Sequence, residues 1–222
     1  FEVGRGCPSC GAPMSEGEML KCRYCGALVC SGEHDWVLAE ITQLSEWRGS
    51  VRRASGLDAL RSRDPGTAQE TLEDRASYLF WKWVQAGRVG GFAPLRKCAT
   101  PAFVASGGDL SATRSAVDVA IGAAELVACE LGGMGARAAV DLVLVEVFWS
   151  ARFGGSSSFT PVQSVIRMVR QSGVVSKVSM TALACTACGA PMVESDSTRC
   201  DHCGAELADG AQAWVLDAVL KP

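Results

Sequence analysis

The chain has 222 residues, 48% of them apolar and 20% charged, with a net charge of −3. That composition belongs to a folded globular protein and excludes a disordered one. The near-neutral charge gives the molecule as a whole no pull toward nucleic acid or anionic lipid. No apolar run is long enough to span a bilayer, and the first residues lack a signal-peptide pattern. The chain opens on Phe1, which reads as a segment of a longer protein with room for a membrane anchor upstream.

The first element is a metal-site pattern. Cys7 and Cys10 form one C-x-x-C pair, Cys22 and Cys25 a second, and Gly11 and Gly26 follow them. Residues 7–41 align without a gap on residues 185–219, with nearly half of the aligned residues identical, so Cys185, Cys188, Cys200 and Cys203 repeat the pattern with Gly189 and Gly204. Two residues between thiols suit a tight turn that aims both sulfurs at one point, and glycine after each pair allows positive φ there. Four thiolates complete a tetrahedral shell, so the expectation is two structural Zn²⁺ ions, one per ribbon, with no open position for substrate. Iron is the alternative metal for the same ligands. A redox C-x-x-C is normally single and sits at a helix start. Disulfides are disfavoured by the turn glycines and by the three leftover thiols Cys30, Cys98 and Cys129, which read as small buried apolar residues of a protein in a reducing compartment.

His202 lies inside the last pair, but its counterpart is Tyr24, which cannot replace it as a ligand; His34 matches Gln212 and is no better placed. A ribbon of this size has too little apolar surface to fold unaided, and structural zinc contributes about 10–16 kcal/mol in small zinc peptides. Each copy ends in Trp-Val-Leu, at Trp36 and at Trp214. This triplet reads as a short strand or a helix start that buries the ribbon against the centre or against its twin, in the second case across a pseudo-twofold.

A short amphipathic piece at 42–47 leads into 48–63, where Arg48, Arg52, Arg53, Arg61 and Arg63 face only Asp58. This stretch reads as a solvated linker, or as a contact for an anionic partner or membrane surface. Folded structure is expected to resume at Asp64-Pro65-Gly66. Thr67 and Glu70 read as a capping box, Leu72, Ala76, Leu79, Phe80, Trp83 and Ala86 recur at helical spacing, and Gly87 reads as the stop. Two shorter helical pieces follow at 92–97 and 101–105, the latter capped by Thr100. Residues 115–131 fit a helix by Val117, Ala124 and Leu131, and a bent strand by Val117, Val119 and Ile121. Residues 138–149 are dense in valine and read as a strand, apolar on both faces except at Asp141 and Glu146. Residues 162–170 and 174–183 read as two more strands around a turn at Ser172-Gly173. A long helix followed by consecutive strands implies an α+β fold with a twisted antiparallel sheet. The organisation is then a zinc ribbon at 1–41, an Arg-rich linker at 42–63, an α+β domain at 64–183 and a second ribbon at 184–222.

Several of these stretches together carry a resemblance. The Asp64-Pro65 opening, the helix end WKWVQAGR, the following FAPLRKCATPAFVAS and the strand SVIRMVR ahead of CTACGAP are similar to the Tim-forty-four-like domain, named for a peripheral subunit of the mitochondrial inner-membrane import motor. The ribbons CPSCGAP…CRYCGA…DWVLAEI resemble those of bacterial members, which often carry an N-terminal membrane segment. The resemblance covers residues 64–183 and both ribbons. It implies a cone-shaped fold of the nuclear-transport-factor and cystatin-like kind, in which a curved sheet wraps the long helix around an apolar pocket. It also implies a scaffolding role. The middle here is not basic, and the chaperone-recruiting segments of the mitochondrial relative are missing.

Three classes of function follow. Closed metal sites without a nucleophile–base pair favour a non-enzymatic scaffold, cytoplasmic or at the cytoplasmic membrane face, that holds a protein partner, or a peptide or lipid tail in the pocket. A hydratase or isomerase would need a buried carboxylate, for which Asp118, Asp141 and Glu146 are the available residues. Nucleic-acid binding through the ribbons is disfavoured because the loops SEGEMLK and VESDSTR are acidic on balance.

Overall fold

In a computed structural model the chain divides into two compact units, Phe1–Arg48 and Gly49–Pro222. The residues described are 6–7, 9–13, 21–27, 54–132, 140–175, 184–185 and 187–221. Residues 42–47, Trp36 to Leu38, Cys30 and His34 lie outside them, as do 48–53 of the Arg-rich stretch and 176–183 of the last expected strand. The described part of the first unit consists of the two cysteine turns.

The second unit begins earlier than expected. Leu57–Arg63 is a helix, α1, and Ala54, Leu57 and Leu60 join the core. Apolar residues three apart give this piece a buried side, and its arginines, exposed on the other side, also make local bonds. Arg61 Nε donates to the Thr67 carbonyl at 3.3 Å, and Arg63 donates to Ser172 Oγ at 3.1 Å. Just upstream, Ser55 exchanges backbone hydrogen bonds with Val127 and Cys129.

The long helix α2 spans Gln69–Val89, and the expected stripe of Leu72, Ala76, Leu79, Phe80, Trp83 and Ala86 is buried. Its ends differ from the expectation. Thr67 gives its hydroxyl to Asp64 Oδ2 at 2.8 Å, because that carboxylate is itself buried and needs donors. Thr71 instead accepts from the Ala68 N–H at 3.1 Å and caps the first turn. Gly87 is not the stop. It is buried inside the helix, where a Cβ would lie 2.0 Å from Thr113 Oγ1, so glycine here permits close packing. The helix ends at Gly90, whose φ of 68° supplies the left-handed cap.

A 3-10 turn at Ala93–Leu95 and a helix α3 at Pro101–Ala105 follow, with Thr100 Oγ1 accepting from the Phe103 N–H as expected. A single turn, α4 (Ser111–Arg114), precedes the sheet. Residues 115–131 resolve as strand: β1 is Ala116–Glu130, pairing antiparallel with β2, Val140–Phe153. Register with a valine-rich neighbour outweighs the weak helical periodicity. Strand β3 is Thr160–Gln171, and the turn at Ser172 and Gly173 is present. Val174 and Val175, the first residues of the further expected strand, lie outside any strand.

The fourth strand is Val215–Leu220, β4, which completes an antiparallel sheet of order β1-β2-β3-β4. Of the two readings of the Trp-Val-Leu triplet, strand is the one realised in the second copy. The second ribbon therefore lies within the connection between β3 and β4. At Leu216 both edges of the backbone are used within this unit: Met168 of β3 pairs on one side, and the Cys98 carbonyl and Thr100 N–H bond to it on the other at 2.8 Å each.

One face of the sheet packs on α2. Val143, Val145, Val147, Trp149 and Ala151 alternate inward on β2 with Ile166 and Met168 on β3, the two-residue period of a half-buried strand. Phe80, Trp83 and Trp149 meet at centroid distances of 5.4–6.3 Å. Both indoles keep a polar partner: Trp149 Nε1 donates to Ser164 Oγ and Trp83 Nε1 to the Gly108 carbonyl. On the opposite face, Leu142, Leu144 and Phe148 are half-buried.

Two four-cysteine centres

Each C-x-x-C builds the same backbone turn. The N–H of the first cysteine bonds to the carbonyl five residues on, as from Cys7 to Ala12 at 2.8 Å, and the glycine N–H returns to the first cysteine's carbonyl, as from Gly11 to Cys7 at 2.7 Å. The turns at Cys22, Cys185 and Cys200 repeat both bonds, and the four glycines take φ of 72–74°. Glycine thus recurs in all four places because each turn needs a positive φ there.

These turns bring the thiols together in fours. Cys7 Sγ lies 3.7 Å from Cys25 Sγ and Cys10 Sγ 3.8 Å from Cys22 Sγ. In the second set Cys185 and Cys203, and Cys188 and Cys200, are each 3.8 Å apart. Within each set all four sulfurs lie within 4.8 Å of one another, close enough to hold a metal ion. A tetrahedron with bonds of about 2.3 Å has an edge of about 3.8 Å, so the spacing matches four thiolates around one ion and is far beyond a disulfide bond of about 2 Å. Every cysteine among the described residues is free.

The thiols within a set are not equivalent. N–H groups of Cys25 and Tyr24 point at Cys22 Sγ and hold its pKa down at about 6, and those of Cys203 and His202 do the same for Cys200, also at about 6. For Cys10 the Ala12 N–H lowers the value, but the neighbouring thiols and burial outweigh it and raise the pKa to about 12. Cys188 is raised to about 12 by the same balance. Four thiols at this spacing resist common ionisation, a conflict that a bound cation removes.

The second centre is fastened to the α+β body by residues that a motif search does not register. Glu194, in the loop between its two turns, accepts from Lys82 at 2.5 Å and from Gln85 at 3.1 Å, both on α2. Lys97 donates to the Val193 carbonyl at 2.6 Å and to Asp201 at 2.5 Å, and Arg96 stands 3.9 Å from Asp196. The acidity of VESDSTR is thus matched by a basic patch on the same unit. Its only signal in the sequence is charge complementarity between distant segments. Past the ribbon, Trp214 is buried between two arginines: Arg170 lies over its ring at 4.5 Å, and Arg75 Nε donates to its carbonyl at 2.9 Å. Arg170 in turn pairs with Asp64 at 2.8 Å, both side chains being buried.

The remaining residues of interest are placed as follows. His202 is exposed and belongs to neither thiol set. Cys98 and Cys129 are buried, and burial raises each thiol to about 11. Asp118 is exposed and paired with Arg152. Asp141 is buried, and its Oδ1 accepts from the Gly132 N–H and Ser172 Oγ at 3.0 Å each, with Arg63 3.6 Å away. Glu146 is half-buried on the outer face of the sheet, opposite Glu125 of β1. Asp141 lies on the inner side of β2 and Glu146 on the outer, so the three carboxylates do not converge on one site.

Fold and sites together define an α+β protein with a four-stranded antiparallel sheet and two four-cysteine centres, one of them built into the sheet's connectivity. Comparison with protein families, curated proteins and solved structures finds no match. Among the described residues no helix is long and apolar enough to cross a membrane.

Proposed function

We propose that this chain is a non-enzymatic scaffold in which two structural Zn²⁺ ions hold the ribbons and a Tim-forty-four-like α+β domain holds a protein partner, or a peptide or lipid tail. Zinc bound by four thiolates supplies a cross-link and no reactive position. The single observation that carries the reading is the position of the second centre. Its ribbon joins β3 to β4 and docks through Glu194, Val193 and Asp201 onto Lys82, Gln85 and Lys97, which is the placement of a staple and not of a reaction site. The bonded surroundings of Asp118 and Asp141 support the same reading, since each carboxylate is already engaged in holding structure. Free thiols fit a reducing location, the cytoplasm or its membrane face.

Elemental analysis and X-ray absorption test this directly. Two equivalents of zinc per chain, each with a sulfur-only shell, are expected. Fewer than two equivalents, or sulfur–sulfur bonds in place of the metal, would remove the basis of the proposal. Purification of the protein from its native host, followed by identification of what accompanies it, tests the partner.

A further inference from the structure

Four consecutive residues of the α+β body, 97–100, grip both the second ribbon and the strand that follows it. Lys97 Nζ donates to the Val193 carbonyl at 2.6 Å and to Asp201 Oδ2 at 2.5 Å. Val193 lies in the loop between the two cysteine turns, and Asp201 stands inside the second turn, between Cys200 and Cys203. The Lys97 side chain is only 9% exposed, so its ammonium is turned to these two acceptors and away from water. Beside it, the Cys98 carbonyl and the Thr100 N–H both bond to Leu216 of β4, and Thr100 Oγ1 donates to Asp217 Oδ1 at 3.1 Å.

We propose that Lys97 is a positioning residue for the second metal centre, and that it slows loss of the ion by holding the second cysteine turn in place. An ion leaves a closed four-thiolate cage only when one turn swings away from the other. Swinging the turn at Cys200 outward breaks the bond to Asp201, and shifting the loop that leads to it breaks the bond to Val193. Both bonds end on one nitrogen, and the backbone that carries it is fixed to β4 through Leu216. Lys97 thus ties the position of the cage to the position of the sheet edge. Groups that orient a metal's ligands from outside the ligand shell change its retention by about 10–100-fold when removed. Lys82 and Gln85 are placed differently, since their bonds reach Glu194 in the loop and not a cysteine turn. The inference rests on the structural-metal reading proposed above.

The test uses the full zinc-loaded chain with EDTA and iodoacetamide. Alkylated cysteines are read peptide by peptide, which assigns each lost ion to its centre. In Lys97→Met the thiols Cys185, Cys188, Cys200 and Cys203 are expected to be alkylated about tenfold faster, and Cys7, Cys10, Cys22 and Cys25 at an unchanged rate. Lys97→Arg keeps a cation with donors for both acceptors and should recover most of the retention. Val147→Ala weakens the core from β2, which β3 separates from β4, and should leave the rate at the second centre unchanged. Should Lys97→Met fail to fold, Asp201→Asn removes the charge of one acceptor and is expected to speed the same four thiols by a smaller factor. Unchanged rates, equal acceleration at both centres, or an equal effect of Val147→Ala each overturn the proposal. A chain that takes up no zinc overturns the structural-metal reading itself; two ions held as long in the variant as in the unaltered chain overturn the role of Lys97 alone.

Discussion

The two ribbons carry nearly the same cysteine turns, yet the sequence around those turns differs. The second is a connection inside a sheet, held by Lys82, Gln85 and Lys97 on one side and by Trp214 and β4 on the other. The first belongs to a separate compact unit, and the positions matching Asp201 and Asp217 are Arg23 and Ala39. Asp217 matters in the second copy because Arg167 and Thr100 both bond to it. The duplication therefore repeats the cysteines and their glycines, while the second ribbon's attachment is decided by other residues.

The largest expected effect comes from removing one centre at a time. Replacing Cys185 and Cys188 with serine should leave one metal equivalent and abolish cooperative folding of the second unit. A structural zinc contributes about 10–16 kcal/mol in small peptides, which rivals the whole stability of a typical domain, about 5–15 kcal/mol, and here it would act on the segment that delivers β4. Replacing Cys7 and Cys10 should also leave one equivalent but keep the thermal unfolding of the second unit in place. Metal analysis and circular dichroism on both variants decide it. Equal loss in the two would break the comparison.

Next in size is the buried pair beneath β4. Asp64 and Arg170 are withdrawn from water, and Arg170 also covers Trp214. Removing one partner leaves a buried charge, so Asp64→Asn or Arg170→Met should each destabilise the protein by about 3–5 kcal/mol. Combining Asp64→Asn with Arg170→Met should cost much less than the sum, and denaturant unfolding of the two single variants and the double measures that coupling. A third variant imports the first ribbon's residue into the second. Asp201→Arg should cost about 1 kcal/mol, since it breaks an exposed pair with Lys97 and sets two cations together. Metal content should be unchanged.

The legible part of this molecule was local. Cysteine spacing and the following glycines announced both centres, and the stripe from Leu72 to Ala86 announced α2, because those patterns are complete within a few turns of chain. Less legible were features settled by distant partners. Gly87 looks like a helix stop until Thr113 is brought against it. Residues 116–130 become a strand once β2 lies alongside, and the end of the arginine-rich stretch, 57–63, becomes helix α1 because Leu57 and Leu60 find the core. The docking of VESDSTR was hidden for the same reason: its acidity counts only against nucleic acid until Lys82 faces Glu194 and Arg96 faces Asp196.

The smallest effect probes that docking by pH. The hydrogen bond from Lys82 holds Glu194 below its ordinary pKa of 4.5, against a weaker opposing effect of burial. Burial acts to lower Lys82, but its bond and charge attraction to Glu194 prevail and raise it above 10.5. A lowered carboxylate stabilises the fold fully above 4.5 and loses that contribution as pH falls through its folded value; a raised amine contributes fully below 10.5 and loses it as pH climbs past its own. The pair is therefore at full strength across the whole interval between them. Glu194→Gln should cost about 0.5 kcal/mol there, as befits a pair near the surface, and the cost should disappear in acid. Acid also competes for the cysteine thiolates, but it does so equally in both proteins, so the difference between their unfolding curves isolates Glu194. A difference that persists unchanged below the carboxylate range would mean that Glu194 acts through its shape or its bond to Gln85, and that charge is not what seats the second ribbon on α2.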